Sequence, residues 1–375
     1  MISQKIFETT IRHYLAPIIE YLDDPGVAEV MVNRFDEIYI EKNGELIKTP
    51  ARFVDLEHYE AATNNILQFT RQSLNSDKTL MDARLPDGSR VHVAKSPCAR
   101  RGTVMTIRKF SKEMLDIDWL VELGTLTPEA KDFIRLAVEG EMNLLVTGGT
   151  SSGKTSLLNA LSVFIPSEQR IVVIEDSAEL QLQKEHIVSM ETKAPDRFGH
   201  GGVSIRDLFR SSLRLRPDRI IIGEVRGGEA LDMIQAMTSG HGGSMGTLHA
   251  NNPMDAMNRL ETMAMMAKVD LPLVALRGQV ASAIDLVIQM SRQEGGKRMV
   301  TQISEIGSLG ENGRHVLRDI YRLESSKSDD PQNNSHKLAW TGERPELADR
   351  LNYKQLDQCG DALRKVFGLA AAETT

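Results

Sequence analysis

The sequence predicts an α/β fold, with a layered domain over residues 128–325 preceded by a smaller mixed α/β domain over 1–110. Three observations carry this. From about 140 to 290, short apolar runs alternate with stretches of helical spacing, the pattern of strands buried on both faces and separated by helices. One of those runs leads straight into a glycine-rich loop that opens a helix. The first hundred residues instead mix helical spacing with hairpin signals.

Composition agrees. A chain of 375 residues is too long for one ordinary domain, and 26% charged with 41% hydrophobic residues is a globular balance. The net charge of −7 argues against a protein that coats nucleic acid through overall charge. Cys98 and Cys359 cannot form a disulfide framework and are expected as free thiols in a reducing cytosol. No apolar run approaches the roughly 18 residues of a membrane helix, and the N-terminus lacks the order of a signal peptide. A soluble cytoplasmic protein is expected.

Taken in order, residues 2–22 are amphipathic, with Ile6, Ile11, Tyr14, Leu15, Ile18 and Leu22 on one face, until Asp23-Asp24-Pro25-Gly26 breaks the helix. Val30-Met31-Val32 and Ile38-Tyr39-Ile40 read as strands, the second turning at Asn43-Gly44 into Glu45-Leu46-Ile47. Residues 55–75 return to helical spacing. Pro86-Asp87-Gly88-Ser89 is a turn before the strand-like Val91-His92-Val93 and Val104-Met105-Thr106-Ile107. From Arg84 to Lys112, eight basic residues face one acid, Asp87, a local basic strip in an acidic protein. Residues 111–127 read as a linker to a helix capped by Thr127-Pro128. The polar run 325–335 reads as a mobile linker, with a short tail closing 326–375.

Gly148-Gly149-Thr150-Ser151-Ser152-Gly153-Lys154-Thr155 fits G-x-x-x-x-G-K-[ST], between a strand ending at Thr147 and a helix whose apolar face begins with Leu157 and Leu158. Glycines let successive backbone N–H groups converge on phosphates, and the helix N-terminus adds partial positive charge. Lys154 is expected to reach the β- and γ-phosphates and the Thr155 hydroxyl to bind Mg²⁺, with Ser156 next in the helix. Phosphoryl transfer also needs acids at strand ends. Ile171–Ile174 ends in Glu175-Asp176, and Ile220–Gly223 ends in Glu224. His249 closes a third strand-like segment, before a helix capped by Asn252-Pro253. No spacing of His and Cys suits a structural metal.

Four ordered segments then carry a likeness: 148–155, Ile174-Glu175-Asp176, Arg216-Pro217-Asp218-Arg219-Ile220-Ile221-Ile222-Gly223-Glu224-Val225-Arg226-Gly227 and Gly246-Thr247-Leu248-His249-Ala250. They resemble the Walker A, Asp box, Walker B and His box of the type II/IV secretion ATPase superfamily, over roughly residues 10–325. Asp24-Pro25-Gly26-Val27-Ala28-Glu29-Val30-Met31-Val32-Asn33 resembles the CpaF branch, which powers tight-adherence (type IVc) pili, although the chain is short for that branch and shows no long disordered leader.

The resemblance implies a homo-hexamer of subunits that each join an N-terminal domain to a RecA-like P-loop ATPase domain, driving an inner-membrane pilus or secretion platform. It implies that Glu175 activates water, that Glu224 supports metal and water, and that His249 senses the γ-phosphate, with the choice of base between the two acids left open. Arg101 and Arg108, with Arg90 behind them, are the candidates to neutralise the transferred phosphoryl, and Arg226 is the Walker B arginine or a structural ion pair. The competing readings are a nucleic-acid-dependent RecA-like motor and a conjugation or type IV secretion ATPase. Phe110 is the only aromatic between Arg84 and Lys112, so the strip lacks stacking platforms and no stable nucleic-acid binding is expected.

Overall fold

The structure, a computed structural model, describes residues 9–69, 79–110, 116–196, 199–326, 335–350 and 359–369. Ile6, residues 70–75 of the expected helix, Lys112 and the polar stretch 327–334 lie outside them. The chain divides into two compact units, Met1–Glu113 and Met114–Thr375.

In the first unit, helical residues 9–14 and α1 (Ile19–Asp23) lead into strands β1 (Val27–Arg34), β2 (Glu37–Lys42) and β3 (Glu45–Lys48). Asn43 and Gly44 both take positive φ, as the tight turn between β2 and β3 requires. Helix α2 (Leu56–Phe69) precedes β4 (Leu80–Arg84), β5 (Arg90–Ala94) and β6 (Val104–Arg108). The six strands form one antiparallel sheet in the order β3-β2-β1-β6-β5-β4. Alternate residues Val30, Val32, Val91, Val93, Met105 and Ile107 are buried against Leu15, Ile18, Tyr59 and Ile66.

The second unit opens with α3 (Ile117–Glu122) and α4 (Pro128–Glu139), the latter capped by the Thr127 side chain. It continues through β7 (Leu144–Gly148), α5 (Lys154–Leu161), β8 (Ile171–Glu175), β9 (Ile187–Glu191), α6 (Ile205–Ser212), β10 (Arg219–Ile222) and α7 (Glu229–Met237). Then come β11 (Met245–His249), α8 (Pro253–Met265), α9 (Leu273–Ala283), β12 (Leu286–Arg292), β13 (Arg298–Gly307), β14 (Val316–Ser326), β15 (Ser335–Trp340), α10 (Leu347–Arg350) and α11 (Asp361–Val366). The sheet order is β15-β14-β13-β12-β7-β11-β10-β8-β9. The strands from β12 to β9 run parallel, and β12 to β15 pair antiparallel.

The strand runs are continuously apolar because both faces are covered. Leu144, Val146, Ile171, Val173, Ile221, Leu286 and Ile288 pack on one face with α4 and α5. Leu145, Val172, Ile174, Ile220, Ile222 and Val287 pack on the other with α7, α8 and α9. This is a RecA-like core, preceded by the smaller α/β unit.

Two expectations are corrected. The linker over 111–127 contains α3, whose Ile117 and Leu120 enter the second core with Leu126. The expected tail over 326–375 is also structural where it is described. β15 pairs with β14 from Tyr321↔Trp340 to Ser326↔Ser335, and Phe367 packs on Phe133, ring centroids 6.1 Å apart. A polar run between two strands reads in sequence like the end of a domain, and the apolar residues beyond it are too few to show a period. Both cysteines are free, Cys98 exposed and Cys359 buried.

Candidate active site

The phosphate loop joins β7 to α5. Gly148 (φ +155°) and Gly153 (φ +94°) shape it. A Cβ on Gly148 would lie 2.5 Å from the Met290 carbonyl oxygen and from Ser152 Oγ, so no side chain fits where the loop leaves the sheet. Ser152 Oγ donates to the Gly149 carbonyl (2.8 Å), and Ser151 holds a positive φ of +57°. Gly149 and Thr150 are exposed, while Thr155 and Ser156 are half-buried at the start of α5. Lys154 is buried, and its Nζ donates to the carbonyls of Gly148 (3.1 Å) and Gly149 (2.7 Å).

From Lys154 a continuous chain of polar contacts crosses the carboxyl ends of four neighbouring strands. Lys154 Nζ is 3.4 Å from His249 Nδ1 at the end of β11. His249 Nε2 is 3.1 Å from Glu224 Oε1, just past β10. Arg226 Nη2 donates to Glu224 Oε2 (2.8 Å), and Nη1 reaches Asp176 Oδ2 beyond β8 (3.4 Å). Burial and the Lys154 charge hold the His249 pKa below its ordinary value. The neutral ring with its proton on Nε2 satisfies both contacts, accepting from lysine and donating to Glu224. Burial alone would raise the Glu224 pKa, but Arg226, His249 and Lys154 together bring it below the ordinary value. Glu224 is therefore ionised at neutral pH.

Glu175, one strand over, differs. It is buried, and its Oε1 accepts the backbone N–H groups of Glu179 (2.8 Å) and Leu180 (2.9 Å). Burial pushes its pKa up to about 7, the two backbone donors opposing the rise and Glu179 and Glu191 adding to it. Gly223 makes room for it, since a Cβ there would lie 2.9 Å from Glu175 Cγ.

The expected residues Lys154, His249, Glu224 and Arg226 thus meet directly, and Glu175 lies against β10 beside them. The arginines of the basic strip belong to the first unit. Arg84 pairs with Arg90, Arg90 with Arg108 and Arg108 with Glu29, a row across four strands. Arg101 is exposed in the turn between β5 and β6, at the opposite end of β6 from Arg108.

Sequence reasoning missed three supporting residues. Glu229 is buried and its Oε1 accepts the N–H groups of Arg226 (2.7 Å) and Gly227 (2.8 Å). Arg298 Nε donates to the Ser151 carbonyl of the phosphate loop (3.1 Å). Gln289 is the polar residue in the apolar run Leu286–Met290, and that interruption was the visible signal.

Comparison with known proteins agrees with this geometry. The type II/IV secretion system protein family matches residues 12–338. The chain is 33% identical over 322 residues to the type IV secretion system protein PtlH of Bordetella pertussis, covering 79% of this chain and 95% of that one. It is 31% identical over 281 residues to the conjugal transfer protein TrbB of Rhizobium radiobacter, covering 74% and 83%. The fold matches the X-ray structure of the Yersinia pseudotuberculosis ATPase DotB at 18% identity and a TM-score of 0.56, covering 82% and 80%. The chain therefore belongs to the type II/IV secretion system protein family, and it carries its phosphate loop on a RecA-like core.

Proposed function

We propose that this chain is an ATP-hydrolysing enzyme, the subunit of a homo-hexameric motor, cytoplasmic and peripheral to the inner membrane, that drives a type IV secretion or conjugation platform. The observation that carries the catalytic part is the contact chain Lys154–His249–Glu224–Arg226–Asp176 beside the phosphate loop. The names of PtlH and TrbB support the secretion and conjugation context. Among the described residues no helix is long and apolar enough to cross a membrane, which supports attachment through a partner protein.

In this reading the backbone N–H groups of 148–156 hold the phosphates, and Lys154 exchanges its two loop carbonyls for phosphate oxygens. Among the described residues no group of three or more His, Cys, Asp or Glu converges to hold a metal. The Thr155 hydroxyl and the Glu224 carboxylate are hard oxygen donors of the kind that suits Mg²⁺, which takes one or two protein oxygens and completes its shell with phosphates and water. Thr155 and, through water, Glu224 would hold it, and when bound it would supply charge neutralisation for the phosphates. Glu175, titrating near 7, is suited to take a proton from the attacking water. Neutral His249 contacts the γ-phosphate, and ionised Glu224 keeps its proton on Nε2. Arg108, with Arg90 and Arg84 in the same row, is the candidate for charge neutralisation on the phosphoryl group, ahead of Arg101.

A tight-adherence pilus role is the second reading, favoured by the segment Asp24–Asn33. Steady-state hydrolysis with and without Mg²⁺ and DNA tests the proposal. The rate is expected to need Mg²⁺, to ignore single- and double-stranded DNA, and to vanish in Lys154→Ala. Strong stimulation by DNA would favour a nucleic-acid motor instead.

A further inference from the structure

We infer that Gln289 is a positioning residue that sets His249 against the phosphate loop, an inference that rests on the proposed role of His249 at the γ-phosphate. β7 lies between β12 and β11, and Gln289 on β12 stands opposite Thr147 on β7. Thr147, the residue before Gly148, is buried and donates from Oγ1 to Gln289 Oε1 (2.5 Å). The other end of the same amide reaches past β7: Gln289 Nε2 donates to the carbonyl of Ala250, the residue after His249 (3.1 Å). Gln289 is itself buried. One side chain therefore ties the strand that launches the phosphate loop to the strand that carries the histidine.

The arrangement is chemically specific. An amide presents an acceptor and a donor at one end, and here the acceptor takes the threonine hydroxyl while the donor takes the Ala250 carbonyl. Met would fill the same volume, take the donor from the Ala250 carbonyl and leave the Thr147 hydroxyl only its long contact with the Ile288 carbonyl (3.4 Å). Glu would set a carboxylate oxygen against the Ala250 carbonyl. The strand backbones alone pair His249 with Gly148 at the edge of the ladder, where it frays most readily. The amide crossing from β12 fixes the peptide just beyond that edge. His249 Nδ1, 3.4 Å from Lys154, and Nε2, 3.1 Å from Glu224, depend on that placement.

Gln289→Met and Thr147→Val in the full chain test this, with Thr147→Ser as the variant that keeps the hydroxyl and His249→Ala as the reference. Steady-state kcat and KM for ATP are measured beside the Kd for ADP. Misplacing the histidine is expected to lower kcat by on the order of 10–100-fold in Gln289→Met and Thr147→Val, with the ADP Kd moving less than about threefold. Thr147→Ser should stay near wild type. A fall in kcat matched by an equal loss of ADP affinity means general damage to the loop and overturns the inference. So does wild-type kcat in both variants. If Gln289→Met does not fold, Thr147→Val with its Thr147→Ser rescue carries the test. If His249→Ala itself keeps wild-type kcat, the proposed role of His249 fails and this inference falls with it. If His249→Ala is impaired while Gln289→Met and Thr147→Val are not, the inference alone fails.

Discussion

Glu175 ends β8 and Glu224 lies just past the neighbouring parallel strand β10, one residue type at two close places, and their surroundings give them opposite proton chemistry. Glu224 stands between a guanidinium and a neutral imidazole, with an ammonium beyond, and stays ionised. Glu175 is buried against the neighbouring glycine and the turn at Glu179 and Leu180, with acids rather than bases nearby, and is pushed up to about 7. A carboxylate at a strand end is thus only a starting point. Burial without a neighbouring cation, against burial beside Arg226 and Lys154, separates a group suited to move protons from one suited to hold charge.

The largest expected effect removes what both acids serve. Lys154→Ala should lower hydrolysis by on the order of 10³-fold or more, since phosphate loses its fixed cation. Stability should change by about 1 kcal/mol, because the lysine's hydrogen bonds to the Gly148 and Gly149 carbonyls and its contact with His249 are to neutral partners. Wild-type turnover would remove the phosphate-loop reading altogether. Arg108→Ala comes next, with an expected loss on the order of 10³-fold in kcat and a much smaller change in ATP affinity. Arg101→Ala, at the other end of β6, should stay within a few-fold of wild type. Equal losses in the two variants would break the distinction drawn from the strand register. Mixing inactive Lys154→Ala subunits with inactive Arg108→Ala subunits restores some activity if the arginine acts on a neighbouring subunit.

Glu224→Gln keeps the shape but removes the charge that holds Arg226. ATP binding should persist while kcat falls by on the order of 10²-fold. The smallest effect sharpens the comparison from the structural side. Glu229→Ala removes one acceptor from the N–H groups of Arg226 and Gly227, and should cost about 1–3 kcal/mol. Thermal unfolding measures it, and a cost near zero would mean that the loop after β10 is held by other contacts.

Much of this is legible in the sequence. The phosphate loop, the two acid-ended strands and the histidine strand are local patterns, and local patterns survive in sequence. The hairpin at Asn43-Gly44 and the caps at Thr127 and Asn252 are legible for the same reason. What was hidden depends on pairing across the sheet. Nothing in the basic strip's order says that Arg84, Arg90 and Arg108 fall in one row while Arg101 is turned to the other end, because register decides it. Nor does sequence order show Gln289 meeting Thr147 and Ala250, since 142 and 39 residues separate them. The closing strand β15 escaped notice because a polar connection hides it.

The division of labour between the two acids is the central claim, and the pH dependence of kcat/KM in wild type and Glu175→Gln tests it most directly. Free-enzyme ionisations govern this quantity. A carboxyl raised to about 7 is protonated in the folded state well above the range where it ionises in the unfolded chain. Its contribution to stability is therefore full below the ordinary carboxyl range and is lost as pH rises through about 7, with a slope of at most about 1.4 kcal/mol per pH unit. Activity moves the other way, because the base works only after losing its proton. Phosphate groups titrate near 6 as well, so the variant, and not the wild-type curve alone, decides. The account predicts a rise in kcat/KM centred near pH 7 in wild type, and a low profile without that rise in Glu175→Gln. The same rise, at an undiminished level, in Glu175→Gln would contradict it and pass the role of base to Glu224.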